Sequence, residues 1–341
     1  MNTEKRPLCA ITVYPDTSSS VVYGMYDLLK SVGRDWSFVV DGTVGTSLLD
    51  VKLIGETTDS FSLLNGVPTQ AEITYSTTDV PDVIIVPEVM IPPGAEIGPE
   101  FDPVIQYLKN MYSKGAIIAS ACSGSLLLAE AGLLDGYDAT SHWAYCDTMR
   151  RRYPKVDVHG ERALVVTGDE HRLVMAGGGT SWLDLALYLI ARLTSVERAM
   201  EVAKMNLIDW HDVGQQPYAR LALTRHSDDA AIRASLEWIA QHVRDSHPVQ
   251  GMIEASGLPE RTFARRFKAA IGMTAIDYVH ALRIEDAKQR LESTTDPVEG
   301  VSFEVGYEDA AYFSRLFKRS VGLAPAAYRR RFARLREMRP S

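Results

Sequence analysis

Cys122 has the setting in this 341-residue chain that most invites chemistry. It stands in Ala119-Ser-Ala-Cys-Ser-Gly-Ser125, between the apolar run Ala116–Ala121 and a helical segment expected over Leu126–Ala131. Small residues on both sides allow a sharp turn, and a thiol between a strand and a helix occupies the elbow position of a nucleophile. The N-terminus of the following helix is expected to stabilise a thiolate and lower the thiol pKa. Spacing alone leaves an inert buried cysteine as the other reading. The chain has three cysteines, Cys9, Cys122 and Cys146, too few and odd in number for a disulfide framework. A reducing cytoplasm is the simplest expectation.

A second group of residues carries charge at helical spacing. Arg261, Arg265 and Lys268 share one side of a helix, while Phe263 and Phe267 share another that should face a core. An offset of 50 residues matches the region to itself: Phe263, Arg265, Phe267, Lys268, Gly272 and Tyr278 recur as Phe313, Arg315, Phe317, Lys318, Gly322 and Tyr328. Each copy reads as a helix, a glycine turn (Ala255-Ser-Gly-Leu258 or Val305-Gly-Tyr307) and a second helix opening at Pro259 or Asp309. That is the sequence form of a helix-turn-helix. The expected contact face is Arg261, Ala264, Arg265 and Lys268 in the first copy, and Ala311, Ser314, Arg315 and Lys318 in the second. Arg265 suits paired hydrogen bonds to guanine, Lys268 suits phosphate, and Ala311 is small enough to meet a thymine methyl. One basic stripe is ordinarily a solvated face; two at matching repeat positions argue for double-stranded DNA.

The elements that must hold these groups change character along the chain. Leu8–Tyr14, Asp82–Pro87, Ala116–Ala121, Ala163–Thr167 and Leu173–Met175 read as strands, with Trp36–Val44 as a further apolar run. Helices are expected at Ser19–Val32 and Trp182–Leu193. Continuous apolar strands alternating with helices indicate a parallel sheet covered on both faces. Strand signals stop after a connector marked by Gly214, Gln215, Gln216 and Pro217. The expected organisation is a 1–210 α/β domain, a 211–229 linker, a 230–333 all-α domain and a 334–341 basic tail. Composition is that of a globular protein, 46% hydrophobic and 23% charged. The net charge of −8 read alone argues against a polyanion partner. It is unevenly shared, however. From His226 onward there are 18 Lys and Arg against 16 Asp and Glu, whereas the first 225 residues hold 18 against 28. No stretch has the roughly 18 uninterrupted apolar residues of a membrane span.

With these residues in view, Ser256–Lys268 and Val305–Arg329 resemble the DNA-binding domain of AraC-type transcription regulators. The second stretch carries the more specific pattern, with Gly322, Pro325, Tyr328 and Arg329. The resemblance covers about 230–333 and implies two helix-turn-helix units joined by a long helix, here Ile276–Leu291. The elbow Cys122-Ser-Gly-Ser-Leu-Leu-Leu-Ala-Glu-Ala-Gly-Leu-Leu-Asp-Gly136, with Ala139-Thr-Ser-His-Trp143 and the stretch Ala176–Leu187, resembles the PfpI branch of the class I glutamine amidotransferase-like superfamily. More specifically, it resembles the form fused to AraC-type domains, the GlxA-like regulators. This implies a flavodoxin-like three-layer sandwich over about 8–195.

Three departures separate the chain from the catalytic patterns of that superfamily. Ser123 follows the cysteine where peptidase-like members have histidine. Val21 precedes Gly24 by three where hydratase-like members have an acid. Pro87-Glu88-Val89 replaces the usual Pro-Gly-Gly. The resemblance therefore implies a sensor on an old active-site scaffold, not an enzyme, with Cys122 as a pseudo-nucleophile. Its ligand pocket is expected at the carboxyl ends of the strands, from Cys122, Glu88, Ser123, His142, Gly177 and Gly178. Glu88 would pair with a cationic amine or amino-acid derivative, the other reading being a strand-end acid facing solvent. No cofactor or metal is expected. The expected partners are an operator, a small-molecule effector, a second copy of the chain and RNA polymerase, with no membrane. The rivals are a cysteine-dependent hydratase or amidase with a DNA-binding tail, and a redox sensor working through Cys122.

Overall fold

The apolar run at the front of the chain becomes β1 (Leu8–Thr12), an interior strand of a seven-stranded sheet. The other strands are β2 (Asp50–Gly55), β3 (Ile73–Thr74), β4 (Val83–Val86), β5 (Ile117–Ala121), β6 (Leu164–Thr167) and β7 (Leu173–Ala176). Their spatial order is β6-β7-β5-β4-β1-β2-β3; every pairing is parallel except β6 with β7. The structure is a computed structural model that describes residues 6–219 and 227–333. The chain divides into two units, Met1–Gln215 and Gln216–Ser341.

In the first unit successive strand residues supply opposite layers, as the twofold strand period requires. Cys9, Ile11, Val83 and Ile85 pack beneath α1 (Ser19–Ser31), with α6 (Trp182–Leu193) and α7 (Val196–Met205) in the same layer. Ala10, Ile84 and Val86 face the other layer, built by α3 (Asp102–Ser113), α4 (Ser125–Glu130) and α5 (Trp143–Arg152). The result is the α/β sandwich expected. One apolar run behaves differently from the strands: Trp36–Val44 largely forms the helix α2 (Asp35–Asp41), whose Phe38, Val39 and Val40 are exposed. The sheet position beside β1 is filled instead by Asp50–Gly55, where Val51, Leu53 and Ile54 are buried.

The second unit is helical throughout its described residues: α8 (Ala230–His242), α9 (Pro248–Ser256), α10 (Glu260–Ile271), α11 (Ala275–Ser293), α12 (Val298–Glu304), α13 (Ala310–Val321) and α14 (Pro325–Phe332). Helices α10 and α13 are each twelve residues long and begin 50 residues apart. Gly272 and Gly322 end them, both at φ +79°, a conformation glycine adopts without a Cβ penalty. Phe263 and Phe267 sit in one core, Phe313 and Phe317 in another. Helix α11 serves both, giving Tyr278 and Val279 to the first and Ile284, Ala287 and Leu291 to the second. The basic tail expected at 334–341 lies outside the described residues, as do 220–226 of the linker. Among the described residues no helix is long and apolar enough to cross a membrane.

Candidate functional site

Strand β5 delivers the chain to Cys122, which adopts φ +57°. For an L-residue this left-handed conformation costs about 1–3 kcal/mol, so surrounding contacts must hold it. Cys122 N–H donates to the Gly177 carbonyl at 3.0 Å. Ser141 Oγ donates to the Cys122 carbonyl at 3.1 Å. Ser123 Oγ donates to the Val89 carbonyl at 2.8 Å and accepts from the Val89 N–H at 3.0 Å. Gly124 completes the elbow: a Cβ there would lie 2.2 Å from the Pro87 carbonyl oxygen, so a larger residue does not fit.

The electrostatics overturn the expectation of a lowered thiol pKa. Burial pushes the Cys122 thiol up to about 11; backbone hydrogen bonding from Ser123 opposes this, and the Glu88 carboxylate adds to the rise. Desolvation outweighs the helix N-terminus here. The helix, α4, has only six residues and is entered through a 3-10 turn, Cys122–Gly124. His142 offers no ready base. It caps α5, its Nδ1 lone pair taken by the Ala144 N–H at 3.1 Å, and burial lowers its pKa, which makes the ring a weaker base.

Glu88 is buried, which removes the solvent-facing reading. Its Oε1 accepts from the Ser18 N–H at 3.1 Å and from the Ser18 hydroxyl, at the start of α1, where negative charge is favoured. Its Oε2 is buried with no hydrogen-bond partner among the described residues. The six expected pocket residues thus gather around the carboxyl ends of β4, β5 and β7, with Gly178 so close to His142 that a Cβ would lie 1.9 Å from the ring. They do not line a cavity of about 530 Å³ elsewhere in this unit, which is bounded by Gly24, Leu28, Thr180, Trp182, Leu207 and His211. At its rim His211 Nδ1 lies 2.7 Å from the buried Asp184 carboxylate and its Nε2 lies 3.0 Å from Thr180 Oγ1. Sequence reading missed this chain of contacts, because His211 stands in a polar connector. It missed Gln215 for the same reason; that side chain is buried among the loops flanking Cys122.

In the helical unit Arg261, Ala264, Arg265 and Lys268 are exposed along α10, opposite buried Phe263 and Phe267. On α13, Ala311, Arg315 and Lys318 are exposed and Ser314 is half-buried. Among the described residues none of these cations forms a salt bridge, whereas Arg266, off the stripe, pairs with Asp229 at 2.6 Å. The two sets of exposed cations thus fall at matching positions of α10 and α13. Arg283 of α11, which no sequence pattern singled out, is buried and donates to three carbonyls: Val243 at 2.8 Å, Gly306 at 2.7 Å and Asp245 at 2.7 Å. It ties the segment after α8 to the glycine turn of the second helix-turn-helix.

The sequence profile of the DJ-1/PfpI family matches residues 48–192, and that of a helix-turn-helix domain matches 252–331. The chain joins a DJ-1/PfpI domain to an AraC-type helix-turn-helix domain. The HTH-type transcriptional regulator CdhR of Pseudomonas aeruginosa is 29% identical over 226 residues, 65% of this chain and 66% of that protein. The HTH-type transcriptional regulator GlxA of Rhizobium meliloti is 26% identical over 230 residues, 66% of this chain and 68% of that protein. The alignments span about two thirds of these regulators' own length. Isonitrile hydratase of Pseudomonas putida is 33% identical over 128 residues, 37% of this chain and 54% of that enzyme. In the DJ-1/PfpI domain here the left-handed cysteine and its tight glycine are present. At the other diagnostic positions Ser123 is tied to Val89, and Val21 is buried on the core-facing side of α1.

Proposed function

We propose that this protein is a sequence-specific DNA-binding transcription regulator whose DJ-1/PfpI domain senses a small metabolite and does not turn it over. The observation that carries the reading is the pair of twelve-residue helices in matching register, each showing unpaired cations outward and two phenylalanines inward. Selecting duplexes from a random library with the full chain tests it. One sequence should be enriched, and Arg265→Ala with Arg315→Ala should abolish the enrichment. Recovery of random sequence by the wild-type protein overturns it. The expected assembly is a cytoplasmic homodimer on paired half-sites, with RNA polymerase as a further partner; sedimentation of the protein with and without the selected duplex checks the dimer.

The same proposal makes Cys122 a pseudo-nucleophile, supported by a thiol raised to about 11 and by His142, whose Nδ1 is committed to capping α5 and whose basicity burial weakens. The relationship to isonitrile hydratase favours one specific alternative, a hydratase carrying a DNA-binding domain. Isonitrile turnover that disappears in Cys122→Ala would establish that alternative. For the effector, the unpartnered Glu88 Oε2 favours a cationic amine. Calorimetry with a panel of amines should give heats that vanish in Glu88→Gln, and equal affinities would remove Glu88 from the account.

A further inference from the structure

Gln215 is the last residue of the first unit, and its side chain is 4% exposed. Two N–H groups converge on its Oε1, from Gly178 at 2.8 Å and Trp143 at 3.2 Å. Four acceptors surround its Nε2: the Ser141 carbonyl at 2.9 Å, the Arg162 carbonyl at 3.0 Å, Thr140 Oγ1 at 3.3 Å and the Gly160 carbonyl at 3.4 Å. The donors and acceptors are sorted by end, two donors on one side and only acceptors on the other. A carboxylate placed here would turn an oxygen toward three carbonyls, and an ammonium would face two N–H groups. The group that satisfies both ends is a planar primary carboxamide. Room for it is made by Gly177, where a Cβ would lie 2.3 Å from the Gln215 amide carbon.

The socket shares its walls with the cysteine elbow. Gly177 accepts from Cys122 N–H, and Ser141 donates to the Cys122 carbonyl. The chain reaches the socket through Gly214, at φ +67° and packed against the Glu161 carbonyl, to which Gln215 N–H also donates at 2.9 Å. Nothing in the elbow's own hydrogen bonds requires an amide at this point. We propose that this socket is a binding site for primary carboxamides, occupied in cis by Gln215, and that a ligand bearing such a group displaces Gln215 and frees the start of the connector. Tethering gives the resident amide a high effective concentration, so a displacing ligand must be abundant or gain further contacts beside Cys122. The consequence for DNA binding rests on the regulator reading; the site itself does not.

Acetamide is the fragment removed by Gln215→Ala, and it serves as the probe on the full chain. The variant should melt several degrees below wild type and recover at least half of that loss in acetamide at hundreds of millimolar. Acetate and N,N-dimethylacetamide should restore nothing. Equal shifts with acetamide and dimethylacetamide, or none with either, overturn the site. Wild-type protein gives a measurement that needs no variant to fold. The Gln215 side-chain NH₂ resonance should move toward the free-amide position as acetamide is titrated, and not with dimethylacetamide; a resonance that stays fixed overturns displacement. Neither assay contains DNA, so their failure leaves the regulator reading intact. For the coupling, the affinity of Gln215→Ala for the selected duplex should differ from wild type at least threefold and return with acetamide. Equal affinities remove the coupling.

Discussion

A thiol held away from water keeps its proton more tightly in the folded protein than in the unfolded chain. Burial pushes Cys9 up to about 12 and both Cys122 and Cys146 up to about 11, from an ordinary value of 9.0. The sign follows from proton counts: above pH 9 the unfolded chain sheds protons that the native state retains. Stability due to these groups is complete below about 9 and is lost as pH rises toward 11 and 12. Urea unfolding across pH 7–11 should show this decline, and Cys122→Ala should show a shallower one; an identical decline would place the effect elsewhere. Alkylation of Cys122 by iodoacetamide should likewise keep accelerating to about pH 11 and show no plateau near neutrality. The elbow itself was legible from small residues around a cysteine at a strand end. Its protonation was not, because burial of the elbow is a property of the fold: Val89, Ser141 and Gly177, which hydrogen-bond to it, are distant in sequence. Among the cations, Arg265→Ala should cost about 1–3 kcal/mol of operator affinity and relax preference at one base pair. Lys318→Ala should weaken all duplexes alike, as binding isotherms on matched and mismatched sites will show.

The two helix-turn-helix units became visible as elements because a fifty-residue offset superimposes aromatic and basic positions that face opposite ways. Helices α10 and α13 reproduce that register, and the glycines after them fall where a left-handed residue is needed. The joining helix, expected over Ile276–Leu291, runs from Ala275 to Ser293. Less legible was β2: Asp50-Val-Lys-Leu-Ile-Gly55 starts with alternating polar and apolar residues and has no long apolar run, whereas the apolar stretch within Trp36–Val44 forms α2. What ties the segment after α8 to the second helix-turn-helix was invisible: Arg283 serves three carbonyls from two segments, a role no periodicity records. Leaving even one such carbonyl buried and unpaired costs about 1–3 kcal/mol. Arg283→Met, which keeps the apolar stem, should therefore lower the melting temperature of the helical unit by several degrees. It should also shorten the footprint that each chain protects on the selected duplex toward the part covered by one helix-turn-helix copy. A full-length footprint at wild-type affinity would show that the two units hold their spacing without Arg283.

At the scale of the whole chain, the net charge of −8 conceals an acidic first part and a slightly basic second one, and only the second carries the exposed stripes on α10 and α13. Long-range repulsion from 28 acids against 18 bases in the first 225 residues opposes approach to any duplex, whatever its sequence. That field weakens matched and random duplexes alike, so the preference between them is set by the few arginines that act at close range. The two effects separate with salt, because the screening length is about 10 Å at 0.1 M and about 3 Å at 1 M. A fragment beginning at Ser227 should therefore bind random duplex more tightly than the full chain at about 50 mM salt. The difference should shrink as salt rises, while the preference for the selected duplex over random sequence stays similar in both proteins. Filter binding or anisotropy over a salt series measures both quantities. If fragment and full chain bind random duplex with the same affinity and the same salt slope, the acidic domain does not suppress indiscriminate binding, and specificity rests on the helical unit alone.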